Sequence, residues 1–234
     1  MARKEFYKPE MVRTILSSLI CLLSEQEKTR LLSCVEVCAY RKNDYIFREG
    51  EIPQYICVVA TGNVGITKQR ECGRSQILSL LGPTEFFGYK SFFANVNHTT
   101  DASAVDSAII YRIPTDVIND IAKFNSNVSV FFLEKTAVIS CEQEQRYINL
   151  VQKHVRGRMA ESLLLLYDKF GTLHDKQTIA ISLMREDIAL FSNMTTANAI
   201  RTLSSFVSEG LVRIDGRNIA ILNVDALMRI SLME

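Results

Sequence analysis

The sequence predicts an α+β chain. It divides into an N-terminal double-stranded β-roll of jelly-roll type, a long dimerisation helix and a C-terminal winged helix-turn-helix domain. Three observations predict this. Between Tyr40 and Ile113, short runs rich in Val, Ile, Tyr and Phe are divided by glycine turns, the pattern of a barrel or double-sheet roll. From about Asn125 the spacing of apolar residues turns helical and stays so for some 25 residues, roughly 37 Å at 1.5 Å per residue. Ile181–Leu222 then carries two short helical patterns, a tight turn and a two-stranded ribbon.

Taken in order, Met11–Val37 has helical spacing at Val12, Ile15, Leu16, Leu19, Leu23, Leu31, Leu32 and Val35. Ser24 followed by Glu27 is the capping-box signature for the second of two helices. The strand runs are "DYIF" before Gly50, "YICVV" before Gly62, "VGITK" before Gly73, "QILSLL" before Gly82-Pro83, and "AIIYRI" before Pro114. Asp116–Tyr147 is helical, with Asn125, Ser126 or Asn127 as the cap of the long helix. Its apolar positions are Val128, Phe131, Phe132, Val138, Ile139 and Ile148, while Lys135 and Glu142 interrupt a heptad. Packing along the roll and a dimer seam both fit this pattern. In "KHVRGRMAESLLLLYDKFG", Met159, Leu163, Leu166 and Phe170 share one face and Gly171 ends the helix.

In the next stretch Ile188, Ala189 and Phe191 mark the inner face of a first helix, and Ser192 and Asn193 the turn. Thr195 caps a second helix whose stripe is Ala199, Leu203 and Phe206. Ala197, Asn198, Arg201 and Ser205 fall off that stripe. Gly210 stops the helix, "LVRI" and "NIAIL" form a hairpin through Asp215-Gly216, and "DALMRISLME" closes as a short helix. The expected domains are therefore 1–124, 125–150 and 151–234.

Hydrophobic content of 47% and charged content of 23% fit a globular protein. No run reaches 18 apolar residues, so no membrane partner is expected. Six irregularly spaced cysteines point to reduced thiols and a cytoplasmic location. Formal net charge is +1, so any nucleic-acid contact must come from local placement of cations. No G-x-S-x-G or P-loop is present, and one histidine in the roll is too few for a metal-dependent enzyme on a barrel.

Four fragments in order resemble the CRP/FNR family of bacterial transcription regulators: "YRKNDYIFREGEIPQYICVVATGNVGI", "GPTEFFGYKSFF", "VRGRMAESLLLL" and "REDIALFSNMTTANAIRTLSSFVSEGLVRIDGRNIAI". The resemblance covers nearly the whole chain. It implies a homodimer that binds a palindromic double-stranded DNA operator, acts with RNA polymerase and answers to a small-molecule effector. Arg185, Thr195, Thr196, Asn198, Arg201 and Arg217 are the DNA-binding candidates. Arg201 falls on a DNA-contacting arginine of the family, and Arg185 and Arg217 on its phosphate contacts; each also reads as a solvated surface charge. Thr196 and Ala197 replace the family's other base readers, which implies an operator unlike its TGTGA or TTGAT half-sites.

The effector candidates are Phe87, Gly88, Tyr89, Lys90, Phe93, His98, Thr99 and Thr100. Cyclic-nucleotide-binding relatives place a Glu after the Gly for the ribose and an Arg about ten residues on for the phosphate. Here Tyr89 follows Gly88, and the Arg position falls near His98 or Thr99. An effector other than cyclic AMP is therefore expected. Redox, haem and nitric-oxide sensing stay open. Cys21, Cys34, Cys38 and Cys141 lack the close pair of cluster-binding relatives, Cys34 and Cys38 sit at i, i+4 on an expected helix, and among His98, His154 and His174 only His98 lies in the roll. His98 reads either as sensory or as a surface-loop residue. A protein-binding roll with a scaffold helix-turn-helix is the remaining alternative. No metal site is expected, and the cofactor stays unknown. The junction near Asn149–Lys153 is the expected hinge.

Overall fold

The computed structural model describes residues 8–69 and 75–233; Cys72 and the expected turn at Gly73 lie outside them. Two compact units make up the chain. Among the described residues, one holds 8–69 together with Leu78–Cys141, the other Ser75–Ile77 with 142–233.

The first unit opens with α1 (Pro9–Ile15), α2 (Ser17–Ile20) and α3 (Glu25–Cys34), three helices where the sequence predicts two. The break is at Leu16, whose backbone leaves the helix at φ −89°, ψ 10° and whose side chain is fully buried. The bend lets Leu16 and Leu19 both reach the core, each worth about 1.5–3 kcal/mol of burial. The Ser24–Glu27 capping box forms as expected, with the Glu27 carboxylate accepting the Ser24 N–H at 2.8 Å.

Eight strands follow: β1 (Glu36–Tyr40), β2 (Tyr45–Phe47), β3 (Tyr55–Thr61), β4 (Val64–Gln69), β5 (Ser75–Leu81), β6 (Phe86–Phe87), β7 (Asp101–Ala104) and β8 (Ala108–Pro114). They form two four-stranded sheets, β1-β8-β3-β6 and β2-β7-β4-β5. Three strands are new relative to the sequence reading. β1, "EVCAY", lacks a clean alternation and follows directly on a helical pattern that hides it. β6 is two residues long. β7 is "DASA", with none of the β-branched residues that mark a strand; its pairing with β2 and β4 turns Ala102 and Ala104 into the roll interior, where both are buried.

Two apolar layers flank the first sheet. Phe47, Cys57, Val59, Val64, Leu81, Phe87, Ala102, Ala104, Ala108 and Ile110 fill the roll. On the sheet's other face, Ile56, Val58, Phe86, Ile109, Tyr111 and Ile113 pack on helices. Alternate residues of β3 and β8 serve the two layers, so both strands are buried on both sides.

After β8 come α5 (Thr115–Phe124) and α6 (Ser126–Gln152). Asn125 separates them at φ −112°, ψ 94° and its side-chain oxygen Oδ1 accepts the Asn127 N–H at 3.2 Å, so of the three expected caps Asn125 is the one used. Its side-chain amide donates to the Leu22 carbonyl at 2.9 Å, anchoring the corner. Val128 and Phe132 of α6 are buried in the helix-side core.

The second unit contains α7 (Val155–Phe170), α8 (Arg185–Phe191), α9 (Thr196–Ser208), β9 (Val212–Asp215), β10 (Asn218–Ile221) and α10 (Val224–Met233). Gly171, Gly210 and Gly216 all have positive φ where the sequence expects a stop or a turn. The β9–β10 ribbon gains a bridge from Thr178 to Ala220 that the sequence does not announce.

Gly62 has φ +77°, and an added Cβ would lie 2.6 Å from the Ser107 carbonyl oxygen and 2.8 Å from the Ala108 Cα. A Gly62→Ala variant is expected to lose about 2–3 kcal/mol in urea unfolding, since both the conformation and the backbone contact forbid a side chain.

Candidate functional site

The candidate residues fall into two sets, one in each unit. In the first, β6 ends at Gly88, whose φ of +82° turns the chain into the five-residue helix α4 (Tyr89–Phe93). A Cβ on Gly88 would meet the Tyr55 carbonyl at 3.1 Å and the His98 ring at 3.8 Å. This turn splits the eight effector candidates. Phe87 faces into the roll, where its ring lies 5.9 Å from that of Phe47. Tyr89 turns the other way, against Phe132 of α6, and its hydroxyl is buried with no hydrogen-bond partner among the described residues. Burial pushes its phenol up to about 12. Lys90 and Phe93 are exposed, Thr99 is exposed with its carbonyl accepting from Lys68 at 2.9 Å, and Thr100 is half-buried.

His98 is not a surface-loop residue. It is 5% exposed, and its ring stacks on Phe47 at 3.7 Å and 7°. Two main-chain bonds hold it: the His98 N–H donates to the Glu51 carbonyl at 2.8 Å, and its carbonyl accepts from Gly50 at 2.7 Å. The side chain near the family's phosphate-binding position therefore lies flat against an aromatic ring. The reading of Cys34 and Cys38 as a helical i, i+4 pair is also corrected: Cys34 ends α3 and Cys38 lies in β1. Burial pushes the Cys57 thiol up to about 12, far from the reactive range. Among the described residues, no three His, Cys, Asp or Glu side chains converge to hold a metal ion.

The second set lies on the helix-turn-helix. The Thr195 hydroxyl caps α9 by accepting the Asn198 N–H at 3.2 Å. Arg201 donates from Nη2 to the Asn198 side-chain oxygen at 2.5 Å, so the two expected base readers are a bonded pair on the outer face of α9. Thr195, Ala197, Ile200 and Arg201 are exposed, and Thr196 is half-buried. Ile200, at 47% exposure, was missed from the sequence because it looks like part of the apolar stripe. On the opposite face Ala199, Thr202, Leu203 and Phe206 are buried.

Arg185 begins α8 and donates from Nη2 to the Gly216 carbonyl at 2.7 Å, which ties the ribbon turn to the helix; its Nη1 is buried without a partner among the described residues. Arg217, beside that turn, is exposed. Arg156 of α7 grips the far end of α9: its two terminal nitrogens donate to the Glu209 carboxylate at 2.8 and 2.9 Å, and one also to Ser205 at 2.7 Å. The Arg156 and Ser205 bonds hold the Glu209 carboxyl down at about 2.

The expected hinge at Asn149–Lys153 is not slack. The Asn149 amide donates to Glu161 of α7, Lys153 pairs with the same carboxylate at 3.4 Å and donates to Ser231 of α10 at 3.1 Å, and Arg158 donates to the Leu150 carbonyl at 3.3 Å. With Arg146 bonded to the Phe191 carbonyl at 2.7 Å, the last turns of α6 are laced into the second unit.

A β-roll with a helix running on into a winged helix-turn-helix defines a class, the two-part transcription regulators. Residues 37–125 match the cyclic nucleotide-binding domain and residues 157–230 the Crp-like helix-turn-helix domain. The CRP-like cAMP-activated global transcriptional regulator of Mycobacterium tuberculosis is 24% identical over 185 residues, covering 79% of this chain and 83% of that protein. Regulatory protein HlyX of Actinobacillus pleuropneumoniae is 23% identical over 215 residues, covering 90% and 89%. The structure of FixK2 from Bradyrhizobium japonicum aligns with a TM-score of 0.77 at 24% identity, over 84% of this chain and 96% of that one. The chain belongs to the CRP/FNR family of transcription regulators.

Burial holds the pKa of His98 below its ordinary value, against an opposing pull from Glu51. The folded state then resists a proton that the unfolded state accepts near pH 6.5, so this contribution is complete above that pH and is lost as pH falls below it. Glu209 and Asp175, both held at about 2, stay ionised throughout that range. Wild type is expected to lose more Tm between pH 7.5 and 5.5 than His98→Phe, which keeps the stack without the titration.

Proposed function

We propose that the chain is a homodimeric, sequence-specific DNA-binding transcription regulator, gated by a small-molecule effector other than cyclic AMP in its β-roll. It works in the cytoplasm, on a palindromic operator and together with RNA polymerase, and it is not an enzyme. Residues 1–124 serve as the sensor, 125–150 as the dimerisation helix and 151–234 as the DNA-binding domain.

The observation that carries this reading is the Asn198–Arg201 pair on α9 just after a capped N-terminus, with Arg201 exposed and Asn198 half-buried. Arginine fits guanine O6 and N7, asparagine fits adenine N6 and N7, and Ala197 and Ile200 offer apolar contact to thymine methyls. Thr195 and Thr196 stand at the helix N-terminus, where a phosphate is favoured. Arg217 serves as a phosphate contact, and Arg185 sets the ribbon that carries it. The net charge of +1 means that these few cations supply the electrostatics.

Support for the dimer comes from α6. Val130, Leu133, Tyr147 and Val151 stand at a and d positions of one heptad frame and are 47–70% exposed; Ala137, Ser140 and Glu144 hold the positions between, so the frame offers a second copy two apolar patches. Support for an effector other than cyclic AMP comes from Tyr89, turned to the helix-side core where a ribose-binding Glu is expected, and from His98, stacked on Phe47. That stack also disfavours His98 as an axial haem ligand.

The first test is selection of random duplex DNA by the purified protein, with and without cell extract. A two-fold-symmetric site with half-sites one helical turn apart is expected; failure to enrich any site under either condition would overturn the reading. On the selected site Arg201→Ala is expected to cost about tenfold or more in affinity and to relax one position, whereas Arg217→Ala weakens all sequences alike and lowers the salt slope by about 1.

A further inference from the structure

We propose that Arg112, on the roll side of β8, is the capture point for an oxyanion group of the effector, a carboxylate or a phosphate. The inference deepens the reading of the roll as a sensor and rests on it. Strand parity makes the first part of the case. Ala108 and Ile110 face the roll interior, so Arg112 follows on the same face, while Ile109, Tyr111 and Ile113 face the helices. The register sets Glu36, Arg112, Cys57 and Phe87 in one row across β1, β8, β3 and β6. A guanidinium thus stands in the row that ends beside Gly88.

The state of that guanidinium makes the second part. Its Nη2 donates to Glu36 at 2.7 Å, its carbon lies 3.9 Å over the Tyr55 ring, and Tyr40 is a further hydrogen-bond partner. Yet its Nε is buried with no acceptor among the described residues. An arginine N–H cannot be relieved by losing its proton, so a buried orphan is a standing demand for an acceptor. Glu36, on a strand at the sheet edge and 45% exposed, is a partner that water readily replaces. An oxyanion meeting Nε and one terminal nitrogen side-on satisfies the orphan in the bidentate geometry that suits arginine.

The test uses the full-length protein titrated calorimetrically with inorganic phosphate and with benzoate, ionic strength matched by sodium chloride. Saturable binding of at least one probe is expected, and which probe binds separates a phosphate from a carboxylate effector. Arg112→Met is expected to weaken it about tenfold or more, and Glu36→Gln to tighten it severalfold by removing the competing carboxylate. Absence of saturable binding by either probe, equal affinity in Arg112→Met, or weakening in Glu36→Gln would each overturn the proposal, the last marking the pair as a structural strut. Should Arg112→Met fail to fold, the sign of the Glu36→Gln change decides. Operator affinity measured on the same samples keeps the two readings apart: Arg112-dependent anion binding that leaves operator affinity unchanged upholds the site and rejects effector gating.

Discussion

The first unit depends on the burial of β3 and β8 on both faces. Each strand lies in the middle of the sheet β1-β8-β3-β6, with the roll interior on one side and the helices on the other. A strand so placed cannot slip by one residue without exchanging Ile109, Tyr111 and Ile113 for Ala108, Ile110 and Arg112, which would drive a charge into the helix layer. The same alternation fixes which side chains enter the roll interior, and Tyr89 and Phe87, two residues apart, point toward different layers because Gly88 lies between them.

The helix-turn-helix reaches its precision by a different route. Its buried stripe is short, and polar grips set the outer elements: Thr195 caps α9 at one end, Arg156 clasps Glu209 at the other, and Arg185 fastens the ribbon turn to α8. Charged groups in this unit therefore divide into those committed to holding the frame and those left facing outward, Arg201 and Arg217 among them. The near-zero charge balance of the chain hides this division.

Much of the fold was legible because periodicity and glycine report local structure directly. The capped α3, the cap on α9, the stop at Gly210 and the turn at Gly216 all follow from residue types at set spacings. What escaped notice was set by tertiary packing. β7 lacks β-branched and aromatic residues and is set by its pairing with β2 and β4, β1 is masked by the helical pattern before it, and α1 breaks where Leu16 turns inward. Among the candidate residues, those on α9 are placed by helical geometry alone. Those of the effector segment are not, since the sense in which each side chain points depends on the positive φ of Gly88 and on a strand of two residues. Arg185 looked like a free cation because its acceptor, the Gly216 carbonyl, is 31 residues away.

The segment from Gly88 to Thr100 is held largely by main-chain atoms. His98 is fixed to Gly50 and Glu51 through backbone N–H and carbonyl groups, and the turn into α4 through the conformation of Gly88. Such bonds do not use the side chains at 90, 96 and 97, which are exposed. The loop can therefore accept new residues at those three positions without losing its shape, so its outer surface can change while its backbone stays as it is.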